Sequence, residues 1–401
     1  MCVMRGVEER AKRALNKKPA YGPDVDLENY ELDFVDISAS SPEDIPEELS
    51  REAEKVGISK SESLGYFQVD QTALFSMSFG DDLEVLPLSE ARKKYEWLDD
   101  YYFRLVEPDA DKFTAFSALN PAEGYFIRVK EGRKIQIPLQ TCLLINKDGV
   151  LQNVHNIIIA EPNSEIHILT GCTTGAHSGF HLGISEFYVS EGAKVSFTMI
   201  HHWAKDSHVR PRTGVRIERG GTFVNNYICM SEVRSLQSYP NVWCEGEGSS
   251  AIFNTVAVAT NESYIDLGSR IFLRGKGSRA EIISRNIASR KGHMVARGHL
   301  IGDNPQCRGH LECRGMILGD GIIHAIPEIE GRYEGVELSH EAAVGKIAEE
   351  EIFYLMSRGL TEEEATSTIV RGFMRLELPE IPERLREEIK RVVEFSASKL
   401  M

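Results

Sequence analysis

Thiols, imidazoles and carboxylates gather toward the end of this 401-residue chain. Cys307, His310 and Cys313 lie close together, and His324, Ser339, His340 and Glu341 follow. Thiolate sulfur with imidazole nitrogen and carboxylate oxygen is the donor set of a soft-metal or iron–sulfur site. The Cys307-x5-Cys313 spacing does not define such a site alone, so its chemistry depends on what brings these residues together. The seven cysteines (Cys2, Cys142, Cys172, Cys229, Cys244, Cys307, Cys313) are odd in number and too sparse for a disulfide scaffold, which predicts reduced thiols. The chain has no CxxC and no GxxxxGK[ST] phosphate loop, so any nucleotide chemistry falls to a partner.

The element that would position these side chains is a repeat. Turn-forming clusters centred on Gly132, Asn163, Gly192, Gly220, Gly248, Gly277, Asn304 and Gly331 recur at intervals of 27 to 31 residues. Short β-rich pieces such as Lys134–Ile137, Ser164–Ile168 and Lys194–Phe197 follow them. Strands and tight turns at one long period predict a parallel β-helix, whereas an antiparallel sandwich would place turns every 8–12 residues. Residues at one offset from each turn then stack along the axis. Nine positions past the turns from Asn163 onward stand Cys172, His201, Cys229, Ala257, Asn286, Cys313 and His340. At about 4.8 Å per coil, Cys172 and Cys313 would end a column about 24 Å long. Small and semi-polar residues also pack well in such interiors, and Cys229 on its own reads as a core residue.

The architecture expected is mainly β: a right-handed parallel β-helix flanked by an N-terminal α/β segment and a C-terminal helical domain. Its parts are an N-terminal mixed region at 1–110, the β-helix at 111–340 and the helical domain at 341–401. In the first part, Ser41–Asp44 opens a charged segment ending at Gly57, and Ser89 to Leu98 forms a second short helix. In the last, Val344, Ile347, Ala348, Ile352 and Leu355 form one apolar helical stripe that stops at Gly359. Thr361 to Glu364 forms a capping box for the next helix, and a third runs from about Pro382 to Leu400. Acidic residues outnumber basic ones by 61 − 46 = 15, with no Lys/Arg stripe, so nucleic acid is excluded as a partner. No apolar run reaches the length of about 20 residues that a membrane span needs, which predicts a soluble, cytoplasmic protein.

Five ordered blocks carry a family resemblance: Cys313-Arg314-Gly315-Met316-Ile317-Leu318-Gly319, His324-Ala325-Ile326-Pro327, Leu338-Ser339-His340-Glu341-Ala342, Arg358 to Ala365, and Ile369-Val370-Arg371-Gly372-Phe373. Together with Gly171-Cys172 and His202-Trp203 they resemble the SufB/SufD family of iron–sulfur cluster assembly proteins, over roughly 110–401. The resemblance implies a scaffold, not an enzyme, whose partners are a SufC-like ABC ATPase, a second SufB/SufD-type chain and recipient apoproteins. It implies a transient iron–sulfur cluster at the interface between two chains, 4Fe–4S in preference to 2Fe–2S. Cys313, Glu341 and His340 match the cluster-building positions, and Cys307 is an addition that could supply a further ligand. Cys172 matches a sulfur acceptor, and His201, Trp203, Cys229 and Asn286 would line the path onward. The ATPase contact falls on the C-terminal helices, with Ile352, Phe353, Arg358 and Phe373 in it. The family's usual Glu-His-Glu is Ser339-His340-Glu341 here, an Arg before Ile145-Asn146 is Leu144, and a Gln is His201. The expected assembly is a homodimer with two copies of Cys313 and Glu341 facing each other. Two other readings compete: a SufD-like partner that carries no cluster of its own, and a β-helix polysaccharide-active enzyme using Glu165, Glu186 or Asp266.

Overall fold

A computed structural model describes residues 2–61 and 63–374 of the chain. It is mainly β, a parallel solenoid of about eight turns with helices before and after it. Sheet I stacks Leu64–Val69, Leu139–Ile145, Glu165–Thr174, Lys194–His202, Thr222–Cys229, Ser250–Ala259, Arg279–Ser289, Arg308–Leu318 and Glu337–Lys346 in parallel register. Sheet II runs from Tyr125–Val129 through Val150–Ala160, Ser178–Val189 and Asp206–Ile217 to His293–Gly302 and Ile322–Gly331.

The repeated turns close each coil where the backbone enters the left-handed region. Asn163, Gly192, Gly220, Gly248 and Gly277 have φ between 59° and 68°, which glycine and asparagine tolerate best. Each turn also donates to the next: the Gly192, Gly220 and Gly248 amides bond the carbonyls of Arg219, Glu247 and Lys276, all at 2.8 Å. The last two turns lie elsewhere than the sequence suggests. They fall at Pro305–Gln306 and Glu334–Gly335, two and four residues beyond Asn304 and Gly331, because the preceding sheet II strands run on to Gly302 and Gly331.

Alternation along every strand sorts side chains into an inward and an outward set. The inward set is largely apolar, with Phe187 4.8 Å from Phe197 and 4.9 Å from Phe223 between ring centroids. Outward residues of sheet I are covered at one end by Ile45, Leu49, Ala53, Val56 and Ile58, and at the other by Ile347, Ile369, Val370 and Phe373. The covering on sheet II is fastened by Glu186, a buried carboxylate. It accepts the Phe103 amide at 2.8 Å, the Val106 amide at 3.2 Å and the Leu105 amide, and lies 2.8 Å from His155 Nε2. His155 in turn stacks on Tyr102 at 4.2 Å.

The N-terminal α/β segment includes strands, and one of them, Leu64–Val69, is the first rung of sheet I. The C-terminal end differs from expectation in detail. Val344 belongs to the last strand, which pairs with Arg308–Leu318 as far as Lys346, so the apolar helix begins only at Glu349. Gly359, at φ 98°, ends that region, and Thr361 with Glu364 makes the capping box of helix Glu362–Phe373. The third C-terminal helix, from about Pro382 to Leu400, lies outside the described residues. No helix among the described residues is long and apolar enough to cross a membrane.

Candidate functional site: a polar interior and an open last coil

Cys172 points inward from the sheet I strand Glu165–Thr174, and Gly171 before it points outward. A Cβ at Gly171 would come within 2.4 Å of Val56 Cγ2 and 2.6 Å of Ile58 Cγ1, so glycine lets the N-terminal covering sit directly on this strand. The next coil places His201 beside Cys172, and the one after places Cys229 beside His201. Ala257 and Asn286 continue the column.

Around Cys172 the interior is polar. Tyr66 Oη donates to Gln68 Oε1 at 2.8 Å, and the amides of Gln68 and Gln152 both donate to the Asp70 carbonyl, at 2.8 and 3.1 Å. Gln152 Oε1 is left to accept from His181 Nδ1, at 2.8 Å. The His181 ring lies 5.1 Å from Trp203, whose Nε1 donates to His201 Nδ1 at 3.0 Å. That bond fixes the His201 proton on Nε2, which is buried and makes no hydrogen bond among the described residues. Tyr227 lies 4.6 Å from the His201 ring, and its buried hydroxyl likewise has no partner among them.

Burial sets the charge state of every member. It raises the Cys172 thiol far above its ordinary value, with Cys229 nearby adding to the effect, and pushes Cys229 up to about 12. Burial drops His181 to about 3 and His201 well below the usual imidazole range, the latter helped by His181. The resting interior therefore holds neutral thiols beside neutral imidazoles.

Cys313 is not in this column. The displaced turns put Gly315 beside Asn286 and Val344 beyond it, while Cys313 stands between Ser284 and Ala342. Its own column runs back through Ser284 and Thr255 to Tyr227. Both columns face inward, two residues apart on every strand. Burial raises the Cys313 thiol and a hydrogen bond to Ser284 lowers it in part.

The other expected ligands are not gathered round Cys313 within one chain. His340 pairs with Leu311, so it shares the inward face but stands diagonally, about 8 Å away at ordinary strand spacings. Glu341 pairs with Glu312 on the outward face, 3.5 Å from Arg314, which also binds Glu312 at 2.8 Å. Cys307 sits at the turn end of the interior, six extended residues or about 20 Å from Cys313. Among the described residues no three His, Cys, Asp or Glu side chains converge on a common point. What distinguishes this end is exposure: Ile322 (50%), Ile329 (42%), Tyr333 (57%) and Val344 (41%) of the last coil are open to solvent.

Of the four residues expected at the C-terminal helices, Phe353 is exposed, and so is Arg358, whose guanidinium lies 5.3 Å from the Tyr354 ring. Ile352 is half-buried, and Phe373 packs against the outer face of sheet I. The carboxylates drafted for polysaccharide chemistry share no groove. Glu186 is spent on backbone amides, buried Asp266 is bound twice by Arg297 at 2.7 and 3.1 Å, and Glu165 lies on the other sheet. Sequence reasoning missed His181, Gln152 and Tyr227. Gln152, His181 and Val209 recur at 29 and 28 residues, so the same period, applied to sheet II, brings out the first two.

The family model for the SufBD core domain of the SUF system of FeS cluster assembly matches residues 143–373. An iron–sulfur cluster assembly SufBD family protein of Methanothermobacter thermautotrophicus is 44% identical over 406 residues, spanning 98% of this chain and 99% of its own. One from Archaeoglobus fulgidus is 50% identical over 349 residues (86% and 94%), and one from Staphylococcus epidermidis 30% over 402 (94% and 85%). This chain belongs to the SufBD family.

Proposed function

We propose that the chain is a homodimeric scaffold on which iron and sulfide are assembled into a 4Fe–4S cluster and passed to recipient apoproteins in the cytoplasm, with a SufC-like ABC ATPase on its C-terminal helices. The observation that carries this reading is the polar cluster around Cys172, inside a largely apolar solenoid whose far end holds Cys313 one coil from the open edge.

Cys172, as thiolate, attacks the terminal sulfur of a donor persulfide; it becomes a persulfide and the donor leaves as a thiol. Its raised pKa makes the thiolate scarce, so the step needs a proton acceptor, and His181 is the imidazole suited to it, because its Nδ1 carries the proton toward Gln152 and leaves Nε2 to accept, whereas His201 is already protonated on Nε2. Sulfur is handed on by thiol–persulfide exchange, in which Cys229 attacks the outer sulfur of the Cys172 persulfide and Cys172 leaves as its thiol; from there it passes toward the Cys313 column, with Tyr227 common to both neighbourhoods, and its entry into the cluster as sulfide takes two electrons from an external reductant. At the last two coils, Cys313 and His340 from each of two chains supply thiolate and imidazole, and Glu341 is a labile carboxylate ligand reached when the interface rearranges. Mixed ligation of this kind holds a cluster weakly enough for transfer. The exposed apolar side chains of the last coil supply the surface on which a second chain packs.

Anaerobic reconstitution with iron and sulfide tests the reading, with bound iron, acid-labile sulfide and visible absorption measured per dimer. Wild type gains a cluster and Cys313→Ser does not. Failure of both would move the cluster to another subunit and leave this chain the SufD-like role.

A further inference from the structure

Outside the solenoid interior, two histidines meet on the outward face of sheet II in its last two strands. His293 opens the strand His293–Gly302, and His324 lies on the edge strand Ile322–Gly331, one coil further and diagonally across. Their ring centroids are 5.1 Å apart and the rings are tilted by 60°. Two imidazoles that bind one ion through nitrogen at about 2.0–2.1 Å, at a tetrahedral angle, have centroids about 5 Å apart.

The surroundings favour a cation over a packing role. His293 Nε2 is buried and makes no hydrogen bond among the described residues. Tyr264 lies edge-on to the His293 ring at 4.7 Å and holds it in place. The nearby carboxylate, Asp266, is bound twice by Arg297. His324 is exposed, which gives an ion direct access from solvent.

We propose that His293 and His324 form a two-imidazole surface site for a single divalent first-row metal ion. Imidazole nitrogen suits iron, nickel, copper and zinc, and two protein ligands leave the remaining coordination positions to water. Such a site binds loosely and releases readily. The assignment of ferrous iron as its ion rests on the scaffold reading, since cluster assembly consumes iron; the site itself does not.

Anaerobic titration with cobalt(II), whose visible bands report the ligand type, tests the site in the full-length protein. Wild type takes up one ion with nitrogen and oxygen ligation and no thiolate charge-transfer band, and Cys313→Ser binds identically. His324→Ala, a change at an exposed position, weakens binding by about tenfold or more, and His293→Ala/His324→Ala abolishes that spectrum. An unchanged titration in the double variant overturns the site, as does a thiolate band that vanishes in Cys313→Ser. Cluster reconstitution of His324→Ala with excess iron separates the two ideas. Normal cluster formation there, with the cobalt signal lost, leaves the scaffold standing with His293 and His324 as an accessory site. Absence of a cluster in wild type, with the cobalt site intact, removes only the assignment to iron.

Discussion

Cys172 and Cys313 face the same interior from neighbouring columns, separated by two residues on every strand and joined where Tyr227 and Cys229 share one strand. Sulfur moving between them must change column. Tyr227→Phe keeps the ring and removes the unpartnered hydroxyl, and we expect it to slow loading of Cys313 while leaving that of Cys172 intact. Mass spectrometry of persulfide on each cysteine checks this; equal loading of Cys313 in the variant counts against a route past Tyr227.

Cys172→Ser is expected to abolish cluster formation from a protein persulfide donor and to spare reconstitution from free sulfide. The two sulfur sources, compared by iron and sulfide content, distinguish an acceptor role from a structural one.

The buried histidines make stability depend on acid. Burial holds His181 at about 3 in the folded chain against about 6.5 unfolded, so below about pH 6.5 only the unfolded state takes up its proton. Stability then falls by about 1.4 kcal/mol per pH unit for this histidine, and His201 adds a loss of the same sign. Asp70 opposes them. Burial raises it to about 6, so its folded form keeps a proton that the unfolded chain has lost, and stability falls as pH rises from about 4 to about 6. Urea midpoints between pH 4.5 and 7 should show a net acid loss that flattens in His181→Gln and steepens in Asp70→Asn.

Glu186→Ala leaves three backbone amides and a buried imidazole without their acceptor, and should cost about 3–5 kcal/mol. Denaturant unfolding measures it, and a change below 1 kcal/mol, on the order of a surface substitution, would mean the covering segment is held by packing alone.

At the open coil, Val344→Lys and Ile322→Glu place charges on the exposed apolar surface and should shift the chain toward monomer. Sedimentation velocity at several concentrations reads this out. On the C-terminal helices, Phe353→Ala with Arg358→Glu should weaken co-elution with the ATPase by at least tenfold.

The period of the turns was readable because left-handed backbone restricts those positions to glycine and asparagine, as at Gly192, Gly220 and Gly248. It failed at the last two turns, where Asn304 and Gly331 resemble turn residues while Gln306 and Gly335 hold the place. That slip moved Cys313 and His340 into the wrong column, although their inward parity survives an even shift. The position of Glu341 on the outward face follows from the same register. His181 stayed hidden because a lone histidine between Phe180 and Leu182 carries no local signal, and only its stacking on Gln152 gives it a partner.

In a stack of coils each rung is held only by the rungs above and below it. The Cys172 end is clamped by the N-terminal segment, whereas the final rung, Glu337–Lys346, has among the described residues a strand neighbour on one side alone and is largely exposed. Amide hydrogen exchange should therefore form a gradient, slowest around Thr170 and fastest past Leu338, so that Cys313 sits beneath the part of the molecule that frays first. Thermal opening of one rung is enough to uncover it.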